Sequence, residues 1–538
     1  MTYQQPKKEE SRQIIWNRAI SLLTKDRNYS RILEEEKICR LWDYAFEKCI
    51  FKYTKVKNAD RTYLNDWIDF SNNTYGSKAP NNLKIAYFCG TEPQNDLDIL
   101  VDLGVRIENI WAFESDKKSY KEALMNAKKH YPALKIHHGS FQSFSNSSKT
   151  QFDIIYLDFT APIFSKEAKP FDAIHKVFDN QSLSELSVLI INSCIPDNNA
   201  DSCSFLDSFF LNQPFIEGGV LGEMTNTGEL ITWYIEGALE EGYDSIGQLP
   251  IASNFDCAYS AFATLYPMLY STIIQPAYRV LRTNELKRQF FSSEKLNHVS
   301  NKVSSEKDFL SFLSEEIEDI FPRGGDIYYN RQGYPLWNQL LELKELKGNH
   351  CKCWYDYFCN QKESGVSRFD AVKFSEILRT APYDGYLRDF SEQLLSAICQ
   401  IEKAVPDKEY GELYGLFCDV PLRIIWIELI LNQLGVPYHC NLSKHCRGAY
   451  QAKTRTMMFD VFVFDRCRSL YDWLPLLDSY GDTFGVLEKQ IIIRSCIDSI
   501  TKQTRETIPY SYYGASLVCI NEESGAFPIP EMPPRNNL

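Results

Sequence analysis

The feature that most constrains this chain is an alternation between roughly residues 60 and 240, where short apolar runs trade places with segments of helical period. LKIAYFC (83–89), NIWAFE (109–114), LKIHH (134–138), FDIIYLD (152–158) and LSVLIINSCI (186–195) read as strands, and ELITWYIEG (229–237) as a sixth. Between them, QNDLDILVDLG (94–104) reads as a helix with Gly104 as its C-cap, and residues 116–131 as a helix with Tyr120, Ala123, Leu124, Ala127 and Tyr131 on one face. Strands that alternate with helices predict a parallel sheet covered on both faces. Right-handed crossovers then bring every strand C-terminus to one edge, where ligands bind. The expected fold is α/β, with a Rossmann-like, mostly parallel sheet and helices on both faces.

The 538 residues leave room for more than this sheet, about three or four units at ~150 residues each. The reading is a helical N-terminal cap (1–60), the Rossmann-like domain (61–250), a helical region (251–345) and a mixed α/β C-terminal domain (346–538). In the cap, 12–23 and 32–53 read as helices, the second with Ile38, Leu41, Trp42, Ala45, Phe46 and Cys49 in one stripe, the mark of a packing face. FDVFVFD (459–465) alternates like a strand, PRGGD (322–326) marks a turn, and the Pro-rich end FPIPEMPPRNNL reads as loose.

A formal charge of −13 opposes non-specific attraction to nucleic acid or anionic lipid. The first residues are polar and charged, unlike a secretory signal, and no apolar run approaches the ~18 residues that cross a bilayer. The 16 cysteines are scattered, which reads as free thiols in a reducing compartment. These features predict a cytoplasmic protein with no membrane partner.

Taken in order, the strand ends carry the functional signal. The first runs into Cys89-Gly90-Thr91-Glu92, the second closes on Glu114, the third is followed by HHGSFQSF, and the fourth ends in DFTAP, 158–162. This order and spacing resembles class I S-adenosylmethionine-dependent methyltransferases, over roughly residues 80–195. The resemblance implies S-adenosylmethionine as cofactor. It assigns Phe88, Cys89, Gly90, Thr91 and Glu92 to the cofactor's amino-acid end and Glu114 to the ribose hydroxyls. Gly139, Ser140 and Phe141 would flank the adenine. Asp158 would orient or deprotonate the acceptor, with Phe159 and Pro162 beside the substrate and His137, His138 and His175 as alternative bases. The chain departs from the family pattern at Ala86, Phe88 and Glu92, where an acid and two glycines are usual. It departs again at Ser140, and in DFTAP, which separates its Asp from its Pro.

Elsewhere, His439, Cys440, His445 and Cys446 form two His-Cys pairs, but adjacent ligands do not match common zinc spacings, so no metal is expected. Two basic clusters, Arg279/Arg282/Lys287/Arg288 and Lys444/Arg447/Lys453/Arg455, could track phosphates or form solvated faces. The leading expectation is a methyltransferase acting on a macromolecule, nucleic acid or protein. One alternative is an inactive methyltransferase-like binding module in a multiprotein system, such as a prokaryotic defence system. Another is a nuclease or other effector in the C-terminal region, around Asp460 and Asp465.

Overall fold

Five parallel strands carry the architecture: β1 (Ile85–Phe88), β2 (Ile110–Glu114), β3 (Lys135–His138), β4 (Phe152–Asp158) and β5 (Leu183–Cys194). They belong to a computed structural model that describes residues 6–44, 46, 58, 61–210, 252, 255–284, 339–340, 343–380, 431–452, 455–473 and 533–538. Three later strands extend the main path of the sheet, β6 (Cys446–Ala452), β7 (Arg455–Asp465) and β8 (Asn536–Asn537), and the two-residue strand His439–Cys440 pairs with the end of β7 off that path. The spatial order is β8-β6-β7-β5-β4-β1-β2-β3, so the strand order reverses between β1 and β4. Loops leaving β1 and β4 therefore diverge to opposite faces and open a crevice at the strand C-termini.

The side chains explain why the sheet is central. Along β4, Ile154 and Tyr156 enter one core with Trp16, Ile85, Leu97 and Val188, while Ile155 and Leu157 enter the other with Phe113, Phe171 and Leu189. This is the two-residue period of a strand buried on both faces. Each such side chain contributes about 1.5–3 kcal/mol on leaving water.

One face carries α1 (Pro6–Leu23), which starts earlier than the sequence reading of 12–23 and buries Ile15, Trp16, Ala19, Ile20, Leu22 and Leu23. The stripe helix α2 (Glu35–Tyr44) and α3 (Thr62–Thr74) instead join the core of the opposite face, where Ile38, Leu41 and Trp42 are buried as a packing face with Leu64 and Trp67. Helix α4 (Gln94–Asp102) packs beside α1. It stops where the glycine signal placed it: Val105 N–H donates to Leu100 O at 3.0 Å and Gly104 N–H to Val101 O at 2.9 Å, a Schellman closure with Gly104 at φ +87°. Helix α5 (Lys117–His130) starts from Asp116, whose carboxylate accepts the Ser119 amide. The opposite face carries α6 (Phe141–Ser147), α7 (Pro170–Asp179), α8 (Ala200–Phe210), α9 (Phe255–Leu269), α10 (Gln275–Arg282), α11 (Asn349–Asn360) and α12 (Arg368–Thr380).

The outer strands correct the domain reading of 459–465. β7 runs antiparallel to β5 over nine register pairs, from Met457↔Cys194 to Asp465↔Leu186, and so completes the same sheet instead of founding a separate C-terminal one. The cause is β5 itself: without β7 its buried edge would leave amides and carbonyls unpaired. The last residues of the Pro-rich end, 533–538, are ordered against the sheet and not loose: β8 pairs with β6 and Arg535 inserts between β7 and α9, while 527–532 lie outside the described residues. The proposed sixth strand at 229–237 and the turn at 322–326 lie outside the described residues. Among the described residues, no helix is long and apolar enough to cross a membrane.

Candidate functional site

At the end of β1 the chain turns through Gly90 at φ +56°, a left-handed conformation that favours glycine. A Cβ there would meet no atom within 4 Å, so the backbone faces open space. β2 ends at Glu114, whose Oε1 accepts the Asp116 amide at 2.8 Å and whose carbonyl accepts the Gly139 amide at 3.0 Å. That second bond ties the β2 and β3 ends together. Ser140 then caps α6, accepting the Ser143 amide at 3.2 Å. β4 ends at Asp158, and Phe159 follows it.

These ends converge because the strands are parallel. Phe88, Cys89, Gly90, Thr91, Glu92, Glu114, Gly139, Ser140, Phe141, Asp158 and Phe159 all line one cavity of about 560 Å³ at the β1/β4 reversal, a size that suits a small-molecule ligand. Phe88 meets Phe159 edge to face at 5.6 Å, and Phe113 meets Phe141 in the same way at 5.5 Å, giving the cavity two aromatic surfaces. Pro162 is not brought in; its carbonyl accepts the Ser165 amide at 2.9 Å. Cys89 is no nucleophile: burial, then the charge of Glu114, pushes its thiol up to about 12.

The histidines are placed elsewhere. His175 is buried on α7 between the hydroxyls of Tyr357 (3.0 Å) and Tyr266 (2.9 Å), and burial followed by Arg368 holds it well below the usual histidine range. His137 and His138 pack against Phe144 and Tyr120 respectively, and neither lines the cavity. None of the three is positioned as its base.

Two cavity-lining groups, Lys8 and Arg12, and one residue behind the wall, Asn192, were missed by the sequence reading. Lys8 and Arg12, one turn apart on α1, both line the cavity. Lys8 Nζ lies 3.1 Å from Asp158 Oδ2, and Arg12 Nε lies 3.5 Å from Asp96 Oδ2. Asn192 of β5 donates to Asp158 Oδ1 at 2.6 Å and to Tyr450 Oη at 3.0 Å. Asp96 is buried and also accepts Trp16 Nε1–H at 2.9 Å. Burial opposes the Arg12 charge, but Asp96, Tyr156 and Asp158 outweigh it and raise the guanidinium pKa. The only sequence signal was the Lys8/Arg12 spacing; nothing in the sequence ties that helix to strands 80 to 150 residues onward.

The C-terminal candidates have internal partners. His439 lies 3.0 Å from the Tyr471 hydroxyl, Cys440 is buried, and His445 Nε2 lies 3.0 Å from Asp460. Among the described residues no three His, Cys, Asp or Glu side chains converge as a metal site. Asp460 is held by Thr264, His445 and Arg535, and Asp465 by Tyr75 and the amides of Ile32 and Cys467. Both acids are buried and turned to internal partners, away from solvent. Four of the described basic residues are also engaged: Arg282 with Glu363 and the Asp179 carbonyl, Arg279 with the Leu434 carbonyl, Arg447 with the Pro533 carbonyl and Arg455 with Cys194 Sγ, while Lys287, Arg288 and Lys453 lie outside the described residues.

No family model matches the chain, and no curated protein matches it. The solved structure of Escherichia coli yhhF, provisionally described as a methyltransferase, is similar to it over 28% of this chain and 79% of its own, at 13% identity and a TM-score of 0.19. A likeness of that size carries no argument about function.

Proposed function

We propose that this chain binds S-adenosylmethionine in the β1/β4 crevice and transfers its methyl group to a macromolecular substrate. The observation that carries the reading is the convergence of four strand ends on one cavity that Glu114 and Asp158 both line, Glu114 being the acid that the family resemblance assigns to the ribose. Three further features fit such a ligand. Gly90 leaves backbone open to close approach, Phe113 and Phe141 offer apolar surface beside Glu114, and Arg12 Nε is buried without a hydrogen-bond partner. The outer sheet also argues against a dinucleotide. A dinucleotide-binding sheet continues into a second parallel mononucleotide unit, whereas here β5 is followed in space by antiparallel β7.

When bound, the cofactor supplies an electrophilic methyl group on a sulfonium. The protein's part is alignment and proton removal. Asn192 fixes Asp158 Oδ1, which leaves Oδ2 to accept from an incoming N–H or O–H. Lys8 Nζ lies 3.1 Å from Oδ2, so a substrate donor has to displace it.

The same ion pair favours a second reading, a domain that binds the ligand without turnover. Calorimetry with S-adenosylmethionine tests the first step: micromolar to millimolar binding that Glu114→Ala weakens by about tenfold or more, the worth of one or two hydrogen bonds to a charged group. No binding at millimolar ligand would remove both readings. Binding without labelled-methyl transfer to RNA, DNA or protein extracts would select the second.

A further inference from the structure

We propose that Arg12 of α1 is the anion subsite of this cavity and receives the α-carboxylate at the ligand's amino-acid end. The inference rests on the S-adenosylmethionine reading. It starts from a conflict in the lining: Glu92, Glu114 and Glu167 share the cavity wall with Asp158, so a ligand carboxylate would meet only acids unless a cation faced it. Two cations do line the wall, and they are not equally free. The Lys8 ammonium is committed to Asp158 at 3.1 Å. Arg12 approaches Asp96 at 3.5 Å without a hydrogen bond, and its Nε is buried and unpartnered. Asp96 is already served by Trp16 Nε1–H at 2.9 Å.

Arg12 therefore keeps donors in reserve, and the planar fork of a guanidinium matches a carboxylate in two parallel hydrogen bonds. Arg12 already faces the Asp96 charge at 3.5 Å, so what it offers a ligand is a few hydrogen-bond donors and not a surplus of charge, which suits a single carboxylate better than a phosphate. Glu92 remains for the ammonium of the same amino-acid group, which gives the unusual acid in the β1 loop a role. The helix is rigidly seated for this: Trp16, one turn beyond Arg12, meets Tyr156 of β4 edge to face at 5.5 Å.

The test compares two nucleosides by calorimetry on the full chain: S-adenosylhomocysteine, which carries the carboxylate, and 5′-methylthioadenosine, which lacks the amino-acid end. Arg12→Met alone would strand buried Asp96, so it is paired with Asp96→Asn, which keeps an oxygen for Trp16 and leaves no uncompensated charge. Asp96→Asn alone is the control. Arg12→Met/Asp96→Asn is expected to weaken S-adenosylhomocysteine by about tenfold to a hundredfold, the worth of charge-assisted hydrogen bonds, and to leave 5′-methylthioadenosine near wild type. Arg12→Lys should recover part of the loss. Equal weakening of both ligands, or of neither, overturns the Arg12 assignment while the cofactor reading stands. A wild-type chain that binds neither nucleoside overturns the cofactor reading, and this inference with it.

Discussion

Replacing Arg535 by Met should release the end of the chain. Its guanidinium donates to Ser260 Oγ (2.7 Å), Phe459 O (2.9 Å), Thr264 Oγ1 (3.2 Å) and Asp460 Oδ2 (2.8 Å), with side-chain exposures of 7% for Arg535 and 3% for Asp460. Without it, Asp460 stays buried against Thr264 and a histidine, His445, whose protonation burial opposes. Breaking a buried pair from one side costs about 3–5 kcal/mol. The chain can limit that cost by undocking 533–538 and letting water reach the carboxylate. The Leu538 amide, which donates to Ala449 O at 2.9 Å, reports the undocking. At ~1.4 kcal/mol per decade, its hydrogen exchange should accelerate by about a hundredfold or more in Arg535→Met. Asp460→Asn added to Arg535→Met should restore much of the protection, since no charge is then stranded. Unchanged exchange in the single variant, or a double variant no better protected, would refute the reasoning. Burial opposes the Asp460 charge, but Arg535 and then His445 hold its pKa well below the ordinary range. A depressed carboxylate contributes stability above its unfolded pKa of ~3.9 and loses it as pH falls through the lower folded value. Wild-type protection should therefore survive acidification from pH 7 to about 4.

Two further outcomes are expected. Asp207 on α8 has a buried, unpartnered Oδ1, and burial raises its pKa to about 6; a raised acid costs stability as pH climbs through that value. Asp207→Asn should then gain about 1 kcal/mol at pH 7, after discounting for solvent screening, and nothing below ~pH 4; urea midpoints at both pH values check it, and an equal gain at both would sink it. Cys89 lines the cavity with its thiol pushed up to about 12, so iodoacetamide at pH 8 should leave it unmodified by peptide mapping while a free thiol control reacts; rapid labelling would contradict the burial that the structure assigns.

Local periodicity was enough for the parallel half of the sheet. Five apolar runs became β1 to β5 within a few residues, and Gly104 stopped α4 as read, because strand alternation and a left-handed C-cap are written in neighbouring residues. Spacing alone also brought Cys89-Gly90-Thr91, Glu114, Gly139 and Asp158 to one cavity, since parallel strands must end on one edge. Pro162 fell outside because Ile163, the residue after it, is buried and donates its amide to Tyr259 Oη, turning the chain toward α9. Tertiary structure decided what long sequence separation hides. It joined β7 to β5 across more than 250 residues, seated Arg535 against Asp460, and placed Lys8 and Arg12 over the strand ends. Those contacts depend on which buried edges and charges lack a partner, a property of the assembled core that no local pattern records.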